Sequence, residues 1–218
     1  DFVCASNAWR FARRHRRYGL ITLVLVVSSF GRWRERRVMR TGFCFLQAVD
    51  DLLDGDRASA REPLEVVDDL TRAIRGNMFA TGDLMRLANA FVTDLHECAG
   101  STAVEDVLML MAVMRRDRCR VMKHEVWSRH ELRDHHRKTF TLSINLLMAA
   151  SASTLRAVDV PDLIDSFAWC SVMRDLREDL SKGLINVPVD VISKVGPEVA
   201  TGSNDVDALI SSTAMGMW

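Results

Sequence analysis

Two groups of carboxylates are set apart by their spacing in this 218-residue chain. The first reads Ala48-Val49-Asp50-Asp51-Leu52-Leu53-Asp54-Gly55-Asp56. On a helix, Asp50 and Asp54 fall one turn apart on the same side, with Asp51 beside Asp54. The second reads Met173-Arg174-Asp175-Leu176-Arg177-Glu178-Asp179-Leu180, where Asp175 and Asp179 repeat the spacing and Glu178 adjoins them. Each group precedes a glycine suited to stopping a helix, Gly55 or Gly183. A helix C-terminus already carries partial negative charge. Acid there costs about 0.3–1 kcal/mol per group, and like charges at i,i+4 add to the cost. Side chains placed against that cost point to a cation. Mg²⁺ takes oxygen ligands, keeps several waters, and is commonly held by one or two carboxylates plus phosphate oxygens. Two such faces across a cavity would hold a metal–diphosphate cluster between them.

The elements that must position these groups are helices. No proline occurs between Pro63 and Pro161, and the stretch is rich in Met, Leu, Ala, Arg and Glu, all good helix formers. Apolar residues recur at helical spacing, as in Val104, Val107, Leu108, Met111 and Met114, and again in Leu142, Leu146 and Ala149. The pattern predicts a single all-α domain with helices over roughly 3–17, 20–30, 34–55, 63–75, 83–98, 102–127, 131–157, 161–182 and 205–216. Asp83, Ser101 and Asp162 are expected starts, and Gly55, Gly76, Gly100 and Gly183 expected stops.

Composition narrows the rest. Lys+Arg and Asp+Glu both number 29, so the net charge is zero and no field marks a nucleic-acid binder. The five cysteines are scattered and form no CxxC pair, which argues against a disulfide framework or a zinc ribbon and for a reducing, cytoplasmic setting. Leu20–Phe30 is apolar but too short for a bilayer, which needs about 20 apolar residues; it is expected to be a buried helix. The chain starts at Asp1 and ends at Trp218 within an apolar stretch, so it is expected to be incomplete at its termini.

At the two acidic groups the chain resembles the squalene and phytoene synthases, trans-isoprenoid synthases that join two prenyl diphosphates head to head. The family's second motif is R-D-x-x-E-D, then a basic stretch with glycine, then Leu-Pro. Here Arg174-Asp175, Glu178-Asp179, Lys182-Gly183 and Val187-Pro188 stand in that order, and Phe43-Cys44-Phe45 leads into Asp50-Asp51 and Asp54. The resemblance spans roughly residues 8 to 190. It implies an isoprenoid-synthase-type helical bundle around a central apolar cavity, with Mg²⁺ as cofactor and a prenyl diphosphate as substrate. Asp50, Asp51, Asp54, Asp175 and Asp179 become the implied metal ligands, and Asp50, Asp54, Asp175 and Asp179 the catalytic set. Arg174, Asp51, Glu178, Lys182, Gln47, Phe43 and Ser171 become the implied substrate contacts. The metal would neutralise the leaving diphosphate. Peripheral membrane association for product release is a further implication, and nucleic acid is not an implied partner.

Several positions depart from the family. Phe43 stands where it has Tyr, Gln47 where it has Arg, Ser171 where it has Asn, and Leu184 and Asn186 where its flap has Arg and Tyr. Tyr18 is the only tyrosine, and Phe140 takes the place of the central helix's Tyr. Three readings therefore stand together: head-to-head condensation, a diverged enzyme ionising a single prenyl diphosphate, and a non-catalytic helical scaffold.

Other candidates carry less. The basic run Arg10, Arg13, Arg14, Arg16 and Arg17 suits diphosphate or a solvated face, and His15 within it is incidental. His135-His136-Arg137-Lys138 suits phosphate or an exposed face, and surface exposure is the expectation. His124-Glu125 and His130-Glu131 fail the zincin spacing, because Ser128 stands where the second His is required. Met109, Met111 and Met114, with Leu142, Leu146, Leu147 and Met148, are candidates to line a prenyl channel, although core packing is the ordinary role of such residues.

Overall fold

The computed structural model describes residues 33–76 and 82–195. Every regular element among them is helical: α1 (Trp33–Leu53), α2 (Pro63–Gly76), α3 (Asp83–Lys123), α4 (Arg129–Ala150), a 3₁₀ turn (Ala157–Asp159), α5 (Pro161–Ser181) and α6 (Val189–Val195). The chain is all-α, as the periodicity predicts. The expected helices 3–17, 20–30 and 205–216, the Arg10–Arg17 run and Tyr18 lie outside the described residues. None of the described helices is long and apolar enough to cross a membrane.

Two compact units divide these residues. The first takes the chain up to Met111 and returns for Asn145–Arg156; the second takes Ala112–Ile144 and the chain from Ala157 on. In the first unit α1 buries Val38, Phe45, Ala48, Val49 and Leu52, a stripe at helical spacing, and α2 buries Val67, Leu70 and Ala73. Phe45 meets Phe91 of α3 ring to ring, with centroids 5.9 Å apart. In the second unit Leu176 and Leu180 of α5 pack with Val187 and Val191.

The helix ends explain the boundaries. α3 is broken at Gly100, whose φ of 78° and ψ of −174° are not helical, so the expected stop there is real. α3 ends at Lys123 rather than at 127. His124 takes a left-handed φ of 51°, and the N–H groups of His124 and Glu125 donate back to the carbonyls of Val121 and Arg120. That is the Schellman pattern of helix termination. α4 ends the same way at Ala150, short of 157, with Ala152 at φ 52° and Ser153 N–H donating to the Met148 carbonyl. Neither end carries the glycine that usually supplies that conformation, which is why both ends are missed from sequence.

α4 starts two residues earlier than expected because Ser128 and Glu131 form a capping box. The Ser128 N–H donates to Glu131 Oε2 at 2.8 Å, and the Glu131 N–H donates to Ser128 Oγ at 3.3 Å. α5 opens on Pro161, with no side-chain cap; Asp162 lies inside its first turn rather than before it. α6 is not anticipated at all, being only seven residues long.

Gly42, inside α1, is where a side chain would cost most. A Cβ there would lie 2.6 Å from Phe91 Cε2 and 3.0 Å from its Cζ, and that ring is buried against Phe45. Alanine in an open helix interior stabilises by about 1 kcal/mol over glycine. Here Gly42→Ala is expected instead to destabilise by about 1–2 kcal/mol in chemical unfolding. In a Phe91→Leu background its effect should turn neutral or favourable; a stabilising Gly42→Ala in the parent chain contradicts the close approach.

Candidate functional site

The first acidic group occupies the last turns of α1, which carry no basic residue. Phe43, Gln47, Asp50 and Asp54 recur at intervals of four, three and four residues and so share one helix face. Burial grades along it: Phe43, Gln47 and Asp50 are half-buried and Asp54 exposed, while Asp51, on the flank, is only 9% exposed. The Gln47 amide Nε2 donates to Asp51 Oδ1 at 3.1 Å and to Asp50 Oδ2 at 3.4 Å. Gln47 thus ties the two neighbouring carboxylates together from one turn above. The helical ladder persists through the motif, since Asp54 N–H donates to the Asp50 carbonyl at 2.9 Å before Gly55 turns the chain at φ 81°.

The second group lies along α5. Ser171, Arg174, Asp175, Glu178, Asp179 and Lys182 recur at helical spacing, and their neighbours Val172, Leu176 and Leu180 are buried, which fixes the rotation of the helix. Arg174 Nε donates to Asp175 Oδ1 at 2.8 Å and its Nη2 to Ser171 Oγ at 3.0 Å. Lys182 Nζ stands 3.5 Å from Glu178 Oε1.

The end of α5 is a complete Schellman turn. Gly183, at φ 82°, donates to the Leu180 carbonyl, and Leu184 N–H reaches back to the Asp179 carbonyl at 2.8 Å. The reversal returns Asn186 against α5, where its Nδ2 donates to Asp179 Oδ2 at 2.8 Å. Asn186 is buried, and so is its own partner, Arg120 of α3, only 1% exposed. Arg120 Nη1 donates to Asn186 Oδ1 at 3.1 Å and to Asp117 Oδ1 at 2.9 Å, and Nη2 donates to the Ile185 carbonyl at 2.8 Å. The guanidinium lies 4.0 Å from the centroid of the Trp127 ring, and Arg116 stands 5.1 Å from the same ring. Asp117 also meets His135 Nε2 at 2.9 Å.

Burial works against each charge in this network. It pulls the Arg120 guanidinium below its ordinary pKa, against the opposing pull of Asp117. Burial also tends to raise Asp117, but the hydrogen bonds and charges of His135 and Arg120 outweigh it and hold that carboxyl below its usual range.

Sequence reasoning missed Asp117, Arg120, Trp127 and His135 as partners of the second motif. The expectation that the His135–Lys138 run lies at the surface is corrected for its histidines. The His135 side chain is only 9% exposed, and His136 is buried with Nε2 lacking a hydrogen-bond partner. Their α4 face turns inward beside buried Leu132, which helical spacing from Leu132 to His136 requires. Arg137 forms a two-pronged ion pair with Asp165. His124 serves a helix end, and His130 is exposed beside Asp134 at 3.0 Å. Of the proposed channel residues, Met111, Leu142 and Leu146 are buried, while Met109 and Leu147 are each 41% exposed.

A cavity of about 300 Å³ opens in the first unit, between α2 and α3, lined by Ala73, Ile74, Met85, Val92, His96 and Glu97 among others. Neither acidic motif and none of the proposed channel residues lines it.

The donors at the two motifs fit Mg²⁺ in kind, since all are hard carboxylate oxygens. Among the described residues no three His, Cys, Asp or Glu side chains converge to hold an ion by themselves. A carboxylate receiving one amide hydrogen bond can still take a cation on its other oxygen. Compared with known proteins, the chain matches no family model, no curated protein and no solved structure.

The buried imidazole gives the molecule an acid weakness. Desolvation, aided by repulsion from His135, lowers His136 from 6.5 to about 4. A folded-state pKa below the unfolded value means full stability above about pH 6.5 and loss as the pH falls toward 4. The loss reaches about 3 kcal/mol and levels off below that window. Unfolding midpoints measured between pH 7 and 4 should show this decline, and His136→Gln should remove most of it. An unchanged slope in the variant assigns the decline elsewhere.

Proposed function

We propose that this chain is a Mg²⁺-dependent enzyme acting on prenyl diphosphates, with condensation of the squalene and phytoene synthase type as the first reading. One observation supports it above the rest: both acidic groups lie on single helix faces at helix C-termini whose last turns lack any basic residue, each with a side-chain amide donating to its carboxylates. Such an arrangement is costly for a solvated surface and serviceable for a metal-bound diphosphate. Asp50, Asp51 and Asp54 in the first motif, and Asp175 and Asp179 in the second, are the proposed ligands of Mg²⁺. When bound, it supplies the charge that lets diphosphate leave.

The protein's own groups orient and exclude. Gln47 keeps Asp50 and Asp51 side by side. Arg174 offers a planar guanidinium beside Asp175, suited to a diphosphate oxygen as well as to the carboxylate it now contacts. Val49 and Leu52 beside the first motif, and Leu176 and Leu180 beside the second, are buried and exclude water from that side of each acidic group.

The second reading, ionisation of a single prenyl diphosphate followed by cyclisation or transfer to another acceptor, draws on the departures. Gln47 and Asn186 stand where the resembled family has Arg and Tyr, and here both donate to motif carboxylates. A site so altered has fewer groups for governing a second substrate.

The decisive assay incubates the protein with Mg²⁺ and prenyl diphosphates of several lengths, quantifies pyrophosphate and identifies the extracted product. A product of two joined prenyl units supports the first reading, and a single-prenyl product the second. No pyrophosphate from any substrate leaves a scaffold. Asp50→Ala and Asp175→Ala are each expected to lower turnover by about a hundredfold or more, with helicity by circular dichroism nearly unchanged. Full activity in both variants refutes the assignment.

A further inference from the structure

We propose that Arg120, acting through Asn186, fixes the direction in which Asp179 presents its carboxylate, so that both are positioning residues for a metal-bound diphosphate at the second motif. The inference rests on the reading of that motif as a metal site. It starts from an amide whose orientation is forced. Arg120 has only donors, so the Asn186 atom facing Nη1 at 3.1 Å must be the carbonyl oxygen. The amide nitrogen then has to face Asp179 Oδ2, at 2.8 Å. An amide flip would bring two donors together at Arg120 and two acceptors together at Asp179.

The guanidinium itself is held on several sides. Asp117 and the Ile185 carbonyl take its N–H groups, and the Trp127 ring lies against its face at 4.0 Å. Trp127 is tethered in turn through Nε1 to Glu125 at 3.1 Å, and Glu125 also receives Arg116 at 2.7 Å. A buried, fully oriented arginine is a costly way to hold a surface loop, because desolvating the charge offsets much of what the contacts contribute. It is an effective way to keep one carboxylate oxygen engaged while the group as a whole faces a ligand. Partners of this kind beyond the direct ligands typically change metal affinity by 10–100-fold when removed.

The test uses Mn²⁺ with inorganic diphosphate as probe, titrated into the whole chain and followed by the electron paramagnetic resonance signal of free Mn²⁺. Asn186→Ala is expected to weaken binding by about tenfold or more. In an Asp179→Asn background the same substitution should have almost no further effect, whereas a merely structural role predicts the same loss in both backgrounds. Arg120→Lys retains the charge but not the fork that spans Asn186 and Ile185, and should reproduce the loss even if Asn186→Ala folds poorly. Parental binding in Asn186→Ala and Arg120→Lys, with Asp179→Asn weakened, overturns the positioning role and leaves the metal site standing. Parental binding in Asp179→Asn and Asp50→Ala alike overturns the metal site itself, and the positioning role with it.

Discussion

A single buried guanidinium organises the second half of this molecule. Arg120 belongs to α3, yet its contacts reach Ile185 and Asn186 some 65 residues further on, as well as Asp117 and Trp127 nearby. A charge removed from water needs partners; Asp117, Asn186 and Ile185 take N–H groups of the two terminal nitrogens while the buried Nε has no hydrogen-bond partner, so each of these groups is constrained in turn. The chain after α5 has to fold back, α4 has to bring His135 to Asp117, and the Trp127 segment has to lie across the guanidinium face. The apolar cluster of Leu176, Leu180, Val187 and Val191 forms around the same reversal. Polar and apolar packing therefore specify one arrangement of the α5 end rather than competing for it.

The acidic motifs differ in how their charge is tempered. At α1 a neutral amide, Gln47, is shared between two carboxylates. At α5 a neighbouring arginine meets Asp175 and a buried asparagine meets Asp179. A hydrogen bond from a neutral amide, unlike an ion pair, does not itself cancel a carboxylate's charge.

Much of this was legible in the sequence, and the limits have physical causes. Long helices with regular apolar stripes were read correctly because their signal is repeated over many turns, as along α1 and α5. Glycine stops at Gly55, Gly100 and Gly183 were legible because each takes a positive φ that glycine alone adopts cheaply. The ends at His124 and Ala152 were not, because the same conformation is reached there without a glycine. The start of α4 was legible in principle from Ser128 and Glu131, a signal passed over in favour of periodicity. Within the site, the face shared by Phe43, Gln47, Asp50 and Asp54 follows from local spacing. The Arg120–Asn186 link does not, since nothing local to either residue indicates a partner so far along the chain. The inward turn of His135 and His136 was concealed by the charged residues that follow them.

The segment from Gly183 to Asn186 acts as a ruler. Its first residue is pinned by a left-handed backbone and its last by two side-chain hydrogen bonds, with the Ile185 carbonyl caught between. Chemical character at Leu184 is only loosely bound by these contacts, but the count of residues is not. Adding or deleting one would move the amide out of reach of both partners at once. Among related chains, this connection should therefore accept substitution at Leu184 while excluding insertion or deletion.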